Sequence, residues 1–402
     1  MAELLSLADA QRLVLEHVRP LEAERVPLER AAGRVLAEAA VARTDLPPFP
    51  SSAMDGFAVR AADTENAPVT LPLAGEAAAG SPLAGPLPPG HAARISTGGV
   101  VPEGADAVVP VEVVEEQDAG VALREPVASG AHVRGRAGDV EAGATVLGPG
   151  APLGPAQVAA LAAAGVAEVR CTKRPRAAIL VTGSELRPPG TELAAGEIYE
   201  SNGLLLAAAL RGAGAVPAQL GVVPDEGEEL ERALERALLG FDLVVTSGGA
   251  SVGPHDLVRA ALRGLRVDEV FWGVAMKPGK PVAFGVRRDH LVFSLPGNPV
   301  SALVTFELLV RPAVNALLGL PEPLPRFQHG ALSAPVARNR RRLEFVRARE
   351  RTGEDGGPLL DPLAGQESHM IARAAPATAL VEVEPGEGEL AAGARVRYLP
   401  LA

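Results

Sequence analysis

The sequence predicts a multi-domain protein of mixed α+β and α/β class. It has a central parallel α/β domain, a small N-terminal β domain on a helical and extended hinge, and a small C-terminal β domain. Three observations predict this. A chain of 402 residues is longer than one hydrophobic core organises, so two to four domains are expected. Between Arg176 and Leu317 apolar strand-length runs alternate with helical-period segments, the pattern of a parallel sheet with crossover helices. Before and after that span the apolar runs are short, alternate with period 2 and are punctuated by Gly and Pro. The expected divisions are 1–48 with 140–173 as an N-terminal linker domain, 49–139 as a small β domain, 174–325 as the α/β domain and 326–402 as the C-terminal β domain.

Taken in order, Leu5 to Val18 carries apolar residues at helical spacing, and Ser6 is placed to cap the start. Val26 to Arg43 reads as a short helix, a turn at Gly33 and a strand, Arg34-Val35-Leu36. Asp45 to Ala58 contains three prolines and two serines, so it predicts a rigid extended segment with neither helix nor strand. Such a segment serves as a functional loop or as a plain crossing between domains, and its residue chemistry alone favours the crossing. From Val69 to about Glu125 the pieces VTLPLAG, HAARISTGG, DAVVPVEVVEE and GVALRE have strand-and-turn spacing. Arg134 and Arg136 suit either a carboxylate or phosphate fork or a solvated surface pair. An Ala-rich helix follows from Pro155 to Ala164, and Lys173-Arg174-Pro175 reads as a linker.

The α/β domain is expected to have strands at Arg176–Val181, Gln219–Val223, Asp242–Val245, Glu269–Trp272 and Leu291–Phe293. Its helices are expected at Leu204–Leu210, Glu226–Leu239, Leu257–Leu262 and Pro299–Leu317. The stretch Asp242 to Asp256, DLVVTSGGASVGPHD, passes from an apolar strand through Ser247-Gly248-Gly249-Ala250-Ser251-Val252-Gly253 to a helix start at Pro254. Glycines allow close backbone approach, and hydroxyls with free amides at a helix start favour a phosphate. A lone Gly-rich loop is equally consistent with an ordinary turn. Strand ends elsewhere carry polar residues, at Thr182-Gly-Ser-Glu185, Pro224-Asp225 and Pro296-Gly-Asn298-Pro299, and open α/β sheets bind ligands at that edge. Asn298-Pro299 is fully accounted for as helix-start grammar, and it also supplies a second anion-friendly helix end. GALSAPVAR, RLEFVRARE, TALVEVEP and ARVRYLPL read as strands of the final domain, with Arg338 to Arg342 mostly a solvated turn.

Composition narrows the function. The net charge of −11 argues against nucleic-acid binding, so an anionic ligand has to be met by local donors. Of 38 basic residues only Lys173, Lys277 and Lys280 are lysine, and two of these fall within Met276-Lys-Pro-Gly-Lys-Pro281. Lysine is a compact point charge where arginine is a planar fork, so the pair marks a site with that requirement. The single cysteine, Cys171, allows no intrachain disulfide and reads as a buried thiol. The His and Cys spacing offers no zinc site, and His255 is accounted for as a helix-start residue. The N-terminus is acidic where a signal peptide is basic, and Gly, Pro or charge interrupts every apolar run. A cytoplasmic protein with no membrane partner is expected.

The ordered set SSAMDGFA, STGGVVPEGADAVV, TGSEL, TSGGASVGPHD, KPGKP and LPGNPVSA resembles one family over nearly the whole chain, most weakly after Leu320. It is similar to the molybdopterin molybdenumtransferases, the MoeA enzymes, and to the larger domain of eukaryotic gephyrin. Met54, Met276 and Met370, three of the four methionines, lie in or beside these motifs. The resemblance implies insertion of molybdate into adenylylated molybdopterin with release of AMP, assisted by a divalent cation such as Mg²⁺. It also implies a homodimer through the N-terminal linker domain, with molybdopterin adenylyltransferase and molybdoenzyme maturation factors as further partners. By the same resemblance Lys277 and Lys280 attend the molybdate, and Glu185, Asp225 and Asp256 act catalytically and hold Mg²⁺. Ser247, Gly248, Gly249, Ser251, Gly253, Pro296, Asn298, Pro299 and Ser301 line the substrate. Asp55, Thr97, Arg134 and Asp139 come from the second subunit, and Arg342 and Ser368 from the C-terminal domain. Gly273 stands where some relatives carry lysine, and Ser184 where aspartate is common, which lowers the anion contacts and the carboxylates by one each. The alternatives are molybdopterin adenylyltransferase, usually a single small domain, and a non-catalytic clustering scaffold. Asp225→Ala and Lys277→Ala are each expected to abolish most turnover in an AMP-release assay while circular dichroism stays unchanged; unaltered rates in both remove the site.

Overall fold

The computed structural model describes residues 4–223, 227–248 and 257–401. The chain divides into two compact units, one of Met1–Glu24, Gly33–Ala37 and Thr172–Ala402, the other of Arg25–Ala32 and Glu38–Cys171.

The first unit holds the α/β domain. Its opening helix α1, Leu7–Glu16, starts where expected, with the Ser6 Oγ accepting from the Asp9 amide at 3.1 Å. The strands that follow are β1 (Arg176–Thr182), β2 (Val216–Val223), β3 (Leu243–Ser247) and β4 (Asp268–Trp272), then a two-residue strand β5 (Met276–Lys277), β6 (Ala283–Arg287) and β7 (His290–Leu295). Six of these form one sheet in the order β2-β1-β3-β7-β6-β4. All five strands expected from sequence run in one direction. The sheet is nevertheless mixed and not purely parallel, because β6 is antiparallel to both its neighbours. Gly285 weakens the apolar run of β6, and its two-residue turn into β7 is Arg288-Asp289, lacking the Asn-Gly hairpin signal. Arg288 supplies the positive φ of 56° that the turn requires.

Alternate strand residues point to opposite faces. Ile179, Val245 and Phe293 pack under helix α2 (Asn202–Gly212) and the helical run α5 (Pro299–Leu317). Ala178, Val244 and Val292 pack under α3 (Gly227–Gly240) and α4 (Leu257–Gly264). Helix α5 corrects the reading of interrupted apolar runs, since its 19 residues are apolar enough to cross a membrane. Yet 78% of that window is buried within the protein, as befits a core helix. Phe306–Val310 winds as a π turn just before Pro312, relieving the missing donor, and Arg311 forks onto Glu307 at 2.5 and 2.7 Å.

After α5 come β8 (Gln328–Leu332), β9 (Leu343–Thr352), β10 (Pro358–Pro362), β11 (Ala379–Val383) and β12 (Arg395–Pro400). They close into a ring, β9-β10-β8-β12-β11 and back to β9, so no edge is left open. Strand β10 was not expected; prolines bracket it at both ends. The short strand β5 joins this ring and not the α/β sheet, pairing parallel to β9 with Lys277 opposite Glu344.

The second unit contains a four-stranded sheet in the order Leu73–Ala77, Ala92–Ile95, Gly56–Val59, Ala107–Pro110, and a three-stranded sheet of Val69–Leu71, Gly120–Leu123 and Glu115–Gln117. The Pro-rich segment is corrected here: Gly56–Val59 is a fully buried central strand, and Ser51–Ser52 pairs with Val133–Arg134. Asp55-Gly56 reads as a turn in sequence. In the sheet Gly56 permits pairing, because a Cβ there would lie 1.9 Å from the Val109 carbonyl oxygen. Leu28–Arg30 is a single 3₁₀ turn, and Arg34-Val35-Leu36 forms no strand.

Asp106 organises this unit locally: its Oδ1 accepts from the Ala61 amide at 2.7 Å, opening the 3₁₀ helix Ala61–Thr64. That amide, aided by the Ser129 hydroxyl and opposed by burial, holds the Asp106 carboxyl below the usual carboxylate range. A depressed carboxyl stabilises the fold above its unfolded pKa of about 3.9, and the contribution is lost as pH falls through the folded value. Asp106→Asn should therefore lower the neutral-pH melting temperature by roughly 2–4 °C, about one hydrogen bond, and shrink the deficit below about pH 4. A melting curve at each pH checks this; a constant deficit across the range refutes it.

Candidate functional site

Thr182 and Ser247 end β1 and β3, and the loop after β7 leads into α5. At this carboxyl edge of the sheet lies a cleft of about 760 Å³. It is walled by Thr182, Gly183 and Glu185, by Glu200 and Asn202 at the start of α2, by Ser247 and Gly248, and by Pro296 to Pro299. His369 and Ile371, from beyond β10, close one side. A second hollow of about 520 Å³ adjoins it, sharing Pro281, Pro296, Asn298 and His369. Its own wall brings Lys277, Lys280, Ser301, Arg342 and Ser368 together.

Of the expected residues in this unit, Glu185, Ser247, Gly248, Pro296, Asn298 and Pro299 line the larger hollow, and Lys277, Lys280, Ser301, Arg342 and Ser368 the smaller. Asp225, Gly249, Ser251, Gly253 and Asp256 lie outside the described residues. Asp55, Thr97, Arg134 and Asp139 belong to the second unit. There the Asp55 Oδ1 accepts from the Thr97 amide at 2.7 Å, and Arg134 sits on the strand opposite Ser51. The Asp139 amide donates to the Leu46 carbonyl at 2.9 Å.

The polar side chains of the cleft hold the loops as well as face the opening. Asn202, largely buried, donates through Nδ2 to the Ser247 Oγ at 2.8 Å and to the Gly297 carbonyl at 2.6 Å. Ser247 Oγ in turn reaches the Pro296 carbonyl at 3.3 Å. The Ser247 hydroxyl thus ties β3 to the loop after β7. Asn298 departs from its expected role: it makes no side-chain cap, and its Nδ2 donates to the Ser368 Oγ at 2.9 Å. The Ser368 carbonyl accepts from the Val300 amide at 3.1 Å, so the C-terminal ring occupies one of the amides expected to be open at the α5 start. Glu200 accepts from the Gly203 amide at 2.6 Å and opens α2.

The two lysines differ. Lys277 pairs with the nearly buried Glu344 at 2.8 Å, whereas Lys280 has no ion-pair partner among the described residues. Among the described residues the smaller hollow is lined by Lys277, Lys280 and Arg342 against one carboxylate, Glu367, so positive charge prevails where an oxyanion would sit. Sequence reasoning missed Glu200, Asn202, His369 and the buried Arg347. Asn202 was hidden by Ser201-Asn202, which reads as helix-start grammar, while Arg347, two residues along the strand from Phe345 and on its face, was a visible anomaly.

Comparison with known proteins decides the family. The description "MoeA N-terminal region (domain I and II)" matches residues 5–165, "Probable molybdopterin binding domain" residues 178–316, and "MoeA C-terminal region (domain IV)" residues 329–401. The chain is 39% identical to molybdopterin molybdenumtransferase 2 of Mycobacterium tuberculosis, across 98% of this chain and 99% of that one. It is 36% identical to the molybdopterin molybdenumtransferase of Haemophilus influenzae, across 99% and 98%. The chain belongs to the MoeA family. A crystal structure of the molybdopterin biosynthesis moeA protein from Pyrococcus horikoshii superposes with a TM-score of 0.85 at 29% identity, over 99% of this chain and 100% of that chain. The MoeA match includes the barrel after Leu320, where the sequence resemblance was weakest.

Of the glycines lining this MoeA cleft, Gly248 leaves the least room for a side chain. Its φ is 95°, and a Cβ would lie 2.4 Å from the Thr182 carbonyl oxygen. Gly248→Ala meets both a disfavoured conformation and a backbone clash, so a loss of about 3 kcal/mol or more is expected in urea unfolding. A change within 0.5 kcal/mol of the parent would show that the loop relaxes freely.

Proposed function

We propose that the chain inserts molybdate into adenylylated molybdopterin and releases AMP, the molybdate being held in the smaller hollow and the pterin nucleotide in the larger. The observation carrying this reading is the assembly of Lys277, Lys280, Arg342 and Ser368 in a hollow that shares Pro281, Pro296, Asn298 and His369 with the cleft at the sheet edge. A tetrahedral oxyanion needs point charges and a hydroxyl donor at short range, and these residue types supply them. Holding molybdate and dithiolene side by side turns an encounter between two solutes into a reaction within one complex.

The donor chemistry for Mg²⁺ is in keeping. Glu185 is an exposed carboxylate on the cleft wall, and hard oxygen ligands suit this ion. No group of three metal-binding side chains assembles among the described residues. Asp225 and Asp256 are the proposed remaining ligands beside Glu185. When bound, Mg²⁺ would supply positive charge against the phosphoryl oxygens of the anhydride. Glu185, exposed on that wall, keeps its carboxylate available, while Glu200 is committed to the α2 start.

We further propose that the working form is a homodimer in which Asp55, Thr97, Arg134 and Asp139 of a second copy complete the cleft. A molybdopterin adenylyltransferase reading accounts for the α/β domain alone, whereas the relatives match over the whole chain. A clustering scaffold has no need of two lysines and an arginine around one hollow. In an assay with adenylylated molybdopterin, molybdate and Mg²⁺, AMP release should depend on molybdate, and Lys280→Ala should slow it about 100-fold. Lys280→Ala mixed with Asp55→Ala under subunit exchange should regain part of the activity that each lacks alone. Molybdate-independent release refutes the reaction, and failure to complement refutes the shared cleft.

A further inference from the structure

The largest fully buried side chain in the described structure is a charged one. Arg347, on β9, is 1% exposed, and no carboxylate pairs with it among the described residues. Every hydrogen bond of its fork goes to one loop. Nη2 donates to the Gly365 carbonyl at 2.6 Å, Nη1 to the Glu367 carbonyl at 3.3 Å, and Nε to the Gln366 Oε1 at 3.3 Å. The Gln366 side chain answers from the other direction, accepting from the Arg347 amide at 3.0 Å and donating to the Arg347 carbonyl at 3.0 Å. The next residue along the loop is Ser368, whose hydroxyl and carbonyl hold Asn298 and the Val300 amide at the α5 start.

We propose that Arg347 is a positioning residue for the oxyanion hollow. It holds the Gly365–Glu367 turn so that Ser368 stands at the required place. A buried guanidinium costs much free energy unless paired, and here burial lowers its pKa. Packing alone would be better met by an apolar residue of similar volume. A fork that satisfies three acceptors on consecutive residues does what an apolar residue cannot: it fixes the path of a strandless loop. Glu367, which lines the hollow, acts electrostatically on the fork, so what Arg347 contributes to the hollow is the path of the loop. The inference rests on the proposed oxyanion role of that hollow and deepens it by naming what sets its geometry.

The test uses the full-length protein with Arg347→Lys and, because that variant risks misfolding, Gln366→Ala, which removes the other half of the clasp. Molybdate binding is followed by calorimetry, binding of AMP separately, and AMP release as a function of molybdate concentration. Amide hydrogen exchange reports on Gly365 to Met370. Expected is weakening of molybdate binding by about tenfold or more with AMP binding unchanged, and faster exchange confined to that loop. Maximal turnover at saturating molybdate should stay within about threefold of the parent, as expected for a binding effect. Because Arg347 acts through Ser368, the double variant Arg347→Lys with Ser368→Ala should weaken molybdate little more than Ser368→Ala does. Multiplicative effects, or equal loss of AMP and molybdate binding, overturn the positioning role. Parent-like molybdate binding in both single variants overturns it while leaving the proposed function intact. Failure of the unaltered protein to bind molybdate overturns both.

Discussion

A run of side-chain hydrogen bonds across the sheet edge is the constraint on which this site depends. Asn202 binds Ser247 and Gly297, Ser247 binds Pro296, and Asn298 binds Ser368, behind which Arg347 holds the turn. The Asn202–Ser247 and Ser247–Pro296 links are buried, so leaving either unmade would strand a buried donor or acceptor at a cost of about 1–3 kcal/mol, whereas the Asn298–Ser368 link is exposed. Together they join the start of α2, the end of β3, the start of α5 and the C-terminal ring into one rigid wall. Loops at the edge of an α/β sheet usually vary freely; here their polar groups bind one another and leave little freedom.

The C-terminal ring does more than cap the chain. It takes β5 as an extra strand, so the backbone of Lys277 is held in register with Glu344. The Lys277 ammonium then pairs with Glu344, and the turn at Pro278-Gly279 carries Lys280 back to the α/β domain, where it makes no ion pair among the described residues. The two lysines that look equivalent in sequence consequently have different electrostatic surroundings. One is held by Glu344, and the other has no ion-pair partner among the described residues.

Much of the fold was legible because periodicity is a local property. The five parallel strands, the four α/β helices and the Ser6 cap all follow from spacing and helix-start grammar. What was lost depends on partners distant in sequence. Gly56–Val59 became a central strand only because Val109 and Ile95 flank it, and β6 only because β4 and β7 do. The extent of α5 was read in full from Pro299 to Leu317, but its π turn and the Glu307–Arg311 pair are invisible to a hydropathy reading.

The paired lysines, the Gly-rich loop and Asn298 were found in the sequence as chemistry awaiting a place, and Ser368 through the family resemblance alone. Residue type and spacing reveal which charges and donors a chain can present, because those are properties of single side chains and their immediate neighbours. Tertiary structure decided which of them face an opening and which are consumed internally. Ser247 and Asn298 are bonded to other loops, the Val300 amide is taken by Ser368, and Arg347 is buried behind them all. Those outcomes turn on distances between residues 18 to 70 positions apart, and no local pattern encodes such distances.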